Sequence, residues 1–190
     1  MAGPVFAAAI FSPEIKNLKL KIKNYFGIIG DSKKITPRKR EAMYNFLVDY
    51  AEVYWGIGRV SEKVIDKINI FQATKLAMQK AILGLEKKVG KRADMLLIDG
   101  NFGIGIKRSQ KSIIKGDEKI FLISLASIVA KVERDRLMVK MHQKYPQYGF
   151  DRHKGYGTKL HIEMIGRHGP CPLHRQSFAP IKDSRQGFKI

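Results

Sequence analysis

The clearest chemical candidate in the sequence is an aspartate at the end of an apolar run. Met95, Leu96, Leu97 and Ile98 follow one another, and Asp99 and Gly100 come directly after them. A short apolar run bounded by turn residues predicts a strand that is buried on both faces. Asp99 would then stand at the carboxyl end of a central strand, where open α/β sheets bind their ligands. The alternative is that Asp99 only caps a turn, since Asp-Gly is a common turn pair.

A second aspartate, Asp135, falls on the apolar side of a helix predicted from about Leu122 to Lys144. Spacings of three and four place one stripe of residues on that side: Leu125, Ile128, Val132, Asp135 and Val139. The residues predicted to face mostly solvent are Lys131, Glu133, Arg134, Arg136 and Lys140. A carboxylate on an apolar face needs compensation. Three explanations stay open: a salt bridge to a neighbouring arginine, a protonated acid, or a bound cation shared with Asp99.

The charge balance points to a polyanionic partner. The 190 residues contain 36 Lys and Arg against 17 Asp and Glu, a formal net charge of +19, which favours nucleic acid. A basic membrane-surface protein is the competing interpretation, but no run of 18 apolar residues supports it. The hydrophobic fraction of 44% excludes a disordered chain. Cys171 is the only cysteine, which excludes an intrachain disulfide and a cysteine-based zinc site and favours a cytoplasmic protein.

The hydrophobic pattern alternates strands with helices, which predicts an α/β or mixed architecture with a helical carboxyl end. In chain order the predicted elements are a strand over 5–11, a helix opening at Thr36-Pro37, a strand over 53–60, a short helix over 61–68, a helix over 72–89 ended by Gly90, the Asp99 strand, a strand near 112–115, the Asp135 helix, and a helix capped by Thr158. Gly56 and Gly58 are predicted to allow close backbone approach in the second strand.

A set of short segments stands in a characteristic order. They are Asp31-Ser32-Lys33-Lys34, Gln72-Ala73-Thr74, Leu97 to Asn101, Lys115-Gly116-Asp117, Ala126 to Asp135, Tyr148-Gly149-Phe150, Lys154 to Thr158, and His174-Arg175-x-Ser177-Phe178. With these segments in this order, the chain resembles the ribonuclease HII family over nearly its whole length. No single segment decides the resemblance, but their shared order makes coincidence improbable.

The resemblance implies a ribonuclease H-like fold: a mixed sheet of about five strands flanked by helices, with a helical carboxyl-terminal extension. We interpret residues 1–190 as a single domain, with a core over about 1–142 and the extension over about 143–190. The resemblance also implies an endonuclease that cuts the RNA strand of RNA–DNA hybrids and cuts beside a single ribonucleotide in duplex DNA. We expect it to be a monomer with no membrane partner.

The resemblance further assigns site residues. The family holds Mg²⁺ or Mn²⁺ with a set of carboxylates, and Asp99 and Asp135 match the last two of them in chain order. Tyr156 matches the tyrosine that stacks on the deoxyribose at the RNA–DNA junction. The loop that holds the nucleic-acid backbone is matched by Ser32, Lys33 and Lys34. By residue type alone, the tyrosine could be an ordinary surface aromatic and the lysines solvated charge.

One segment of the family is absent from the sequence. The family begins with a strand ending in Gly-x-Asp-Glu-x-Gly-Arg-Gly, a few residues before the Ala2-Gly3-Pro4-Val5 found here. That motif supplies the other two carboxylates, and the adjacent acidic pair Asp117-Glu118 lacks the Gly-Arg-Gly continuation that would make it a substitute. Our hypothesis is that Met1 is an internal methionine and that the first strand is missing. Because two carboxylates are few for two divalent ions, we expect impaired activity.

Two other interpretations stay open. A non-catalytic basic domain that coats RNA or DNA explains the net charge but gives no reason for a carboxylate on an apolar helix face. The sister family, ribonuclease HIII, usually carries an additional amino-terminal substrate-binding domain, and its motifs differ from the segments quoted above.

Overall fold

A computed structural model of the chain describes residues 1–27 and 35–184, and its architecture is mixed α/β. The strands are Val5–Phe11 (β1), Tyr54–Val60 (β2), Met95–Asp99 (β3) and Ser109–Ile113 (β4). The helices are Ile15–Phe26 (α1), Pro37–Asp49 (α2), Glu62–Val89 (α3), Gly116–Lys119 (α4), Phe121–Lys144 (α5), Phe150–His153 (α6), Lys159–His168 (α7) and Ile181–Ser184 (α8), with a 3₁₀ turn at Pro146–Tyr148. Nearly all predicted elements are present, although β4 begins earlier than predicted.

The chain forms two compact units. Unit 1 comprises Met1–Val5, Val60–Thr74 and Glu133–Ile190, and unit 2 comprises Phe6–Arg59 and Lys75–Val132. This division differs from the predicted core over 1–142 and extension over 143–190. The interpretation of the whole chain as a single domain stays a prediction.

The core of unit 2 is built on α1, α2 and the first half of α5. Leu18 and Ile22, four residues apart on α1, are fully buried together with Met43 and Leu47 of α2. The predicted start of α2 is confirmed: the Thr36 hydroxyl accepts a hydrogen bond from the Lys39 amide at 3.3 Å, and Pro37 is the first helical residue.

Two glycines let β2 lie directly against α3 in unit 2. A Cβ on Gly56 would stand 2.6 Å from the Leu85 amide nitrogen, and one on Gly58 would stand 2.7 Å from the Ala77 carbonyl carbon. No side chain fits at such distances, because the helix backbone itself is the neighbour. The predicted close approach is therefore confirmed.

The strand that carries Asp99 differs from its prediction in two ways. Leu96 and Ile98 are buried, but Met95 and Leu97 are 57% and 42% exposed, so burial on both faces is wrong for the described part of the chain. The cause is the alternation of side chains along a strand, of which only one set packs against the apolar cluster around Ile82. β3 also pairs only with β4 among the described strands, in parallel, and β1 pairs with β2. These residues thus form two pairs in place of one sheet of about five strands with β3 at its centre.

Unit 1 contains the break in α3 that separates the two predicted helices. Asn69 has φ 63° and ψ 168°, which lies outside the helical range. Asparagine is among the non-glycine residues that adopt positive φ most readily. Its side-chain oxygen accepts a hydrogen bond from the Gln72 amide at 3.0 Å and so caps the helix that follows.

The amino-terminal residues are tied into unit 1 by backbone hydrogen bonds. The Ala2 amide donates to the Gly155 carbonyl at 3.0 Å, and the Gly3 amide donates to the Leu173 carbonyl at 2.8 Å. Ala2 is fully buried in a cluster with Met138 and Phe150. Residues from the two ends of the sequence therefore form one packed core. None of the described helices has the length and apolar character that crossing a membrane requires.

Candidate active site

Asp99 stands at the last position of β3, as predicted, and is half-buried. Its Oδ1 accepts a hydrogen bond from the Gly116 amide at 2.8 Å. The strand pairing continues beside it, because Asp99 is opposite Ile113 in the register and the Gly100 amide donates to the Ile113 carbonyl at 3.0 Å. The position of this carboxylate is thus determined by backbone groups of β3, β4 and the turn that follows β4.

That turn leaves little room around the carboxylate. A Cβ on Gly116 would stand 2.9 Å from Ile123 Cδ1 and 3.2 Å from Asp99 Oδ1. Lys115, just before it, has a left-handed backbone with φ 55°, which costs a non-glycine residue about 1 kcal/mol. The Lys115-Gly116 backbone therefore turns the Gly116 amide towards the carboxylate, and a side chain at the second position would displace Ile123 or Asp99.

Asp135 lies on α5, with its side chain 20% exposed. Asp135 Oδ1 is 3.9 Å from Nη1 of Arg134, which is a long ion pair. A salt bridge to a neighbouring arginine, one of the three predicted explanations, therefore accounts for part of the compensation. The predicted apolar stripe is correct as far as Val132, but Val139 is 43% exposed and Met138 is fully buried in its place. The reason is that this end of α5 packs in the core of unit 1, whereas Val132 packs in that of unit 2.

Arg134 was predicted to face solvent, and this is wrong. Its side chain is only 12% exposed, its guanidinium carbon lies 4.6 Å from the centre of the Tyr156 ring, and Nη2 donates to the Ala2 carbonyl at 3.4 Å. A planar guanidinium over an aromatic face is a favourable cation–π arrangement. Helix periodicity could not reveal it, because the ring and the carbonyl come from segments distant in sequence.

Tyr156 keeps half of its surface exposed, at 50%, while Arg134 contacts its ring. Its backbone is held on both sides: the Tyr156 amide donates to the His153 carbonyl at 2.9 Å, and the Tyr156 carbonyl accepts from the Thr158 amide at 2.9 Å. Within unit 1, Arg134 thus connects two residues that were predicted separately, the carboxylate of Asp135 and the ring of Tyr156. Asp99 belongs to unit 2, and Ser32, Lys33 and Lys34 lie outside the described residues.

Unit 1 has a second group of charged side chains, the buried Arg175 and the half-buried Asp66. The Arg175 guanidinium Nε donates to the Gly3 carbonyl at 3.0 Å, and burial, with Arg134 nearby, lowers the pKa of Arg175 to about 10. Asp66 accepts hydrogen bonds from the Ser177 amide at 2.9 Å and the Ser177 hydroxyl at 2.6 Å. Burial acts to raise the pKa of Asp66, but these hydrogen bonds outweigh it and the pKa falls below its ordinary value of 3.8. The negative charge of Asp66 therefore holds the segment after Arg175 against α3.

The carboxylates fit a divalent cation in the type of their donor atoms. Mg²⁺ and Mn²⁺ prefer oxygen ligands, and Mg²⁺ is commonly bound by one or two carboxylates together with water and substrate phosphate. In the part of the chain that the structure describes, no group of three or more His, Cys, Asp or Glu side chains is arranged to hold a metal ion. A metal at Asp99 or Asp135 would therefore need ligands beyond these two residues.

Comparison with known proteins gives a consistent result along the sequence. A family model described as Ribonuclease HII matches residues 1–181. Ribonuclease HII of Chlamydia trachomatis serovar A is 46% identical over 186 residues, which cover 98% of this chain and 80% of that protein.

Solved structures with low sequence identity share the fold. The crystal structure of ribonuclease H2 from Pyrococcus horikoshii OT3 aligns with a TM-score of 0.68 at 19% identity, covering 96% of this chain and 98% of that one. The ribonuclease HII in a complex with PCNA from Archaeoglobus fulgidus aligns with a TM-score of 0.70 at 20% identity, covering 99% and 92%. The predicted ribonuclease H-like fold, with helices flanking the strands, is confirmed.

Proposed function

Because the chain belongs to the ribonuclease HII family, we propose that it is an endonuclease acting on RNA–DNA hybrids and on duplex DNA that contains a single ribonucleotide. The reaction would be hydrolysis of a phosphodiester bond, in the RNA strand of a hybrid or beside the single ribonucleotide of a duplex. The observation that carries this proposal is the contact chain from Asp135 through Arg134 to Tyr156. It links a carboxylate suited to a metal with a half-exposed ring suited to a sugar.

Asp99 and Asp135 are the residues that would hold Mg²⁺ or Mn²⁺. A bound divalent ion would supply Lewis-acid chemistry, lowering the pKa of a water molecule and offsetting the charge of the phosphate. Asp99 Oδ1 accepts a hydrogen bond from the Gly116 amide, which limits rotation of the carboxylate and leaves Oδ2 for another partner. Asp135 lies beside the Arg134 guanidinium, with Oδ1 3.9 Å from Nη1.

Tyr156 is the residue that would read the sugar at the RNA–DNA junction. Proteins distinguish RNA from DNA by the 2′-hydroxyl and by sugar shape, and a ring held from behind by Arg134 presents a defined face to that sugar. Ser32, Lys33 and Lys34 would hold the phosphate backbone, in keeping with the net charge of +19. We further expect the protein to be cytoplasmic and monomeric. Light scattering in solution would check the oligomeric state.

The test is cleavage of a DNA duplex with one ribonucleotide, in Mg²⁺ or Mn²⁺, by the chain and by Asp99→Asn. Asp94→Asn is the matched control, because Asp94 is an exposed aspartate just before the same strand. Cutting at the ribonucleotide that is lost only in Asp99→Asn supports the proposal. The alternative, a basic domain that only binds nucleic acid, predicts binding without cutting and no specific response to Mn²⁺.

The amount of activity is a separate question. Two matched carboxylates are few for two divalent ions, so we expect the 190-residue chain to cut slowly. Adding a strand with the Gly-x-Asp-Glu-x-Gly-Arg-Gly motif ahead of Ala2 should raise the rate. If the extended and the original chains cut equally fast, the motif carboxylates are not needed and this part of the proposal is wrong.

A further inference from the structure

Unit 1 contains a buried row of three imidazoles next to Tyr156. His153, His161 and His174 are 8%, 0% and 1% exposed. The rings of His153 and His161 are stacked, with centres 4.2 Å apart and planes 17° apart, and His161 Nε2 is 3.0 Å from His174 Nε2. The sequence spacing of these histidines gives no sign of the arrangement.

The hydrogen-bond partners determine which nitrogen of His161 and His174 carries the proton. The Cys171 amide donates to His174 Nδ1 at 2.9 Å, and the Cys171 carbonyl lies 3.2 Å from the same nitrogen. A hydrogen on Nδ1 would face the hydrogen of the Cys171 amide, so this Nδ1 is an acceptor and Nε2 carries the hydrogen. His161 Nδ1 is 2.8 Å from the Tyr156 carbonyl, which can only accept, so this Nδ1 carries the hydrogen. His174 Nε2–H therefore donates to His161 Nε2.

His153 has an equally defined state. The Gly155 amide donates to His153 Nδ1 at 3.1 Å, and His153 Nε2 is 2.7 Å from the Tyr148 carbonyl, to which it donates. All three rings are thus neutral, and every ring nitrogen has a hydrogen-bond partner. An added proton would place two hydrogens face to face: between His161 and His174, between His174 and the Cys171 amide, or between His153 and the Gly155 amide.

Two of the three rings bond directly to the backbone that carries Tyr156. His153 Nδ1 accepts a hydrogen bond from the Gly155 amide, and His161 Nδ1 donates to the Tyr156 carbonyl. The Gly155-Tyr156 segment is therefore held at both of its ends. The backbone here has positive φ at Lys154 (52°) and Gly155 (79°). Such a turn has few local alternatives and needs bonding partners to remain in one conformation.

We infer that His153, His161 and His174 are positioning residues for Tyr156, whose neutral and tautomer-specific hydrogen bonds set the orientation of its ring towards the substrate. The contact between the ring and the sugar rests on the proposed function. The relay, by which we mean the hydrogen bonds from His174 through His161 to the Tyr156 carbonyl, does not. His174 acts at one remove, because its Nε2–H keeps the proton of His161 on Nδ1, where it reaches the Tyr156 carbonyl.

The charged and titratable groups around the row favour the neutral state. Burial is the main cause that lowers the pKa of His161 and of His174 to about 4, and the neighbouring imidazoles add to it. Burial also lowers the pKa of His153, with Asp151 acting against the shift and Lys154 with it. The neighbouring Cys171 thiol and Tyr148 hydroxyl are themselves held neutral, because burial raises the pKa of each. The relay is therefore complete at neutral pH and opens as the pH falls towards 4.

A pair of amide substitutions tests the relay, because Asn and Gln place their NH₂ groups near the positions of Nδ1 and Nε2. In His161→Asn the amide can still donate to the Tyr156 carbonyl, and in His161→Gln it cannot. The control is His168→Gln, at an exposed histidine. We expect His161→Gln to reduce the preference for a ribonucleotide-containing duplex over an all-DNA duplex by on the order of tenfold, with His161→Asn and the control close to the original chain.

Nuclear magnetic resonance of the full chain provides a readout that does not depend on activity. Imidazole ¹⁵N shifts should show the proton of His161 on Nδ1 and those of His153 and His174 on Nε2, and the Tyr156 and Thr158 amide signals should move in His161→Gln but not in His161→Asn. A proton on Nε2 of His161, or Tyr156 signals indifferent to both substitutions, would overturn the inference. If the shifts are as expected but the original chain has no preference for the ribonucleotide, the proposed role of Tyr156 fails and the relay stands.

Discussion

The surroundings of Asp99 and of Asp135 are built in different ways. Asp99 is held by backbone groups, at the end of a strand and opposite the Gly116 amide. Asp135 is beside Arg134, whose guanidinium in turn contacts the Tyr156 ring and the Ala2 carbonyl, groups from remote parts of the sequence. The groups that hold Asp99 belong to the backbone and carry no titratable charge, so we expect mild acid to disturb the second region more than the first.

The distribution of histidines sharpens this contrast. All five histidines of the chain, at positions 142, 153, 161, 168 and 174, belong to unit 1, and none lies within residues 6–59 or 75–132. Histidine is the side chain whose ordinary pKa brings its charge change closest to neutral pH. Mild acid therefore acts through histidine on the region of Tyr156 alone.

The largest expected effect is the loss of either carboxylate. Asp99→Asn and Asp135→Asn should each reduce cleavage of a ribonucleotide-containing duplex to the background rate, since an amide neither balances the charge of a divalent ion nor binds it well. Single-turnover cleavage in Mn²⁺ measures this, with Asp94→Asn as the control. Equal activity in Asp99→Asn and the original chain would remove Asp99 from the site and break the comparison.

The next largest effect is expected at the backbone support of Asp99. Gly116→Ala would bring a Cβ to 3.2 Å from Asp99 Oδ1 and 2.9 Å from Ile123, so the carboxylate must shift. Groups that orient a metal ligand typically affect activity about 10- to 100-fold. The rate of cleavage as a function of Mn²⁺ concentration should show the loss. Gly84→Ala is the matched control, because nothing lies within 4 Å of a Cβ there.

A smaller effect is expected at the side-chain support of Tyr156. Arg134→Gln removes the cation over the ring and the ion pair with Asp135, an interaction worth roughly 0.5–2 kcal/mol, or about 2- to 30-fold in affinity for the junction. Arg136→Gln, at an exposed arginine on the same helix, serves as control. If both KM and kcat of Arg134→Gln equal those of the original chain, the contact between Arg134 and Tyr156 has no role in binding the junction.

The smallest expected effect is the loss of stability of unit 1 in mild acid, which should leave unit 2 largely unaffected. The pKa values of His161 and His174 are about 4 in the folded chain and near 6.5 when unfolded, so the unfolded chain binds more protons between these pH values. Their contribution to the stability of unit 1 is therefore complete above pH 6.5 and is lost as the pH falls towards 4. Unit 2, which holds the single tryptophan, Trp55, has no such loss from histidine.

Denaturant unfolding between pH 7 and 4 can separate the two regions. Trp55 fluorescence reports on unit 2, and the amide signals of Tyr156 and Thr158 report on unit 1. As the pH is lowered from 7 to 4, we expect the denaturant concentration that unfolds unit 1 to fall before the concentration that unfolds unit 2. Simultaneous changes in both sets of signals would mean that the histidines do not make unit 1 selectively sensitive to acid.

The sequence by itself was sufficient for features that depend on neighbours along the chain. The strand ending at Asp99, the Thr36 and Thr158 caps, and the close approach at Gly56 and Gly58 were predicted and are confirmed. Each follows from local periodicity, a side chain bonding to the next turn, or the absence of a Cβ. The order of the motifs likewise indicated the family, which the comparison established.

Only the tertiary structure decided how the second region is arranged. The burial of Arg134, its contact with Tyr156 and the bond between His161 and His174 join residues that are 13 or more positions apart, and no local pattern encodes which of them meet. The same holds for the single buried face of β3, because a strand's apolar residues do not reveal which of its faces is covered. Local geometry is determined by adjacent residues, whereas side-chain contacts of this kind depend on how distant segments pack.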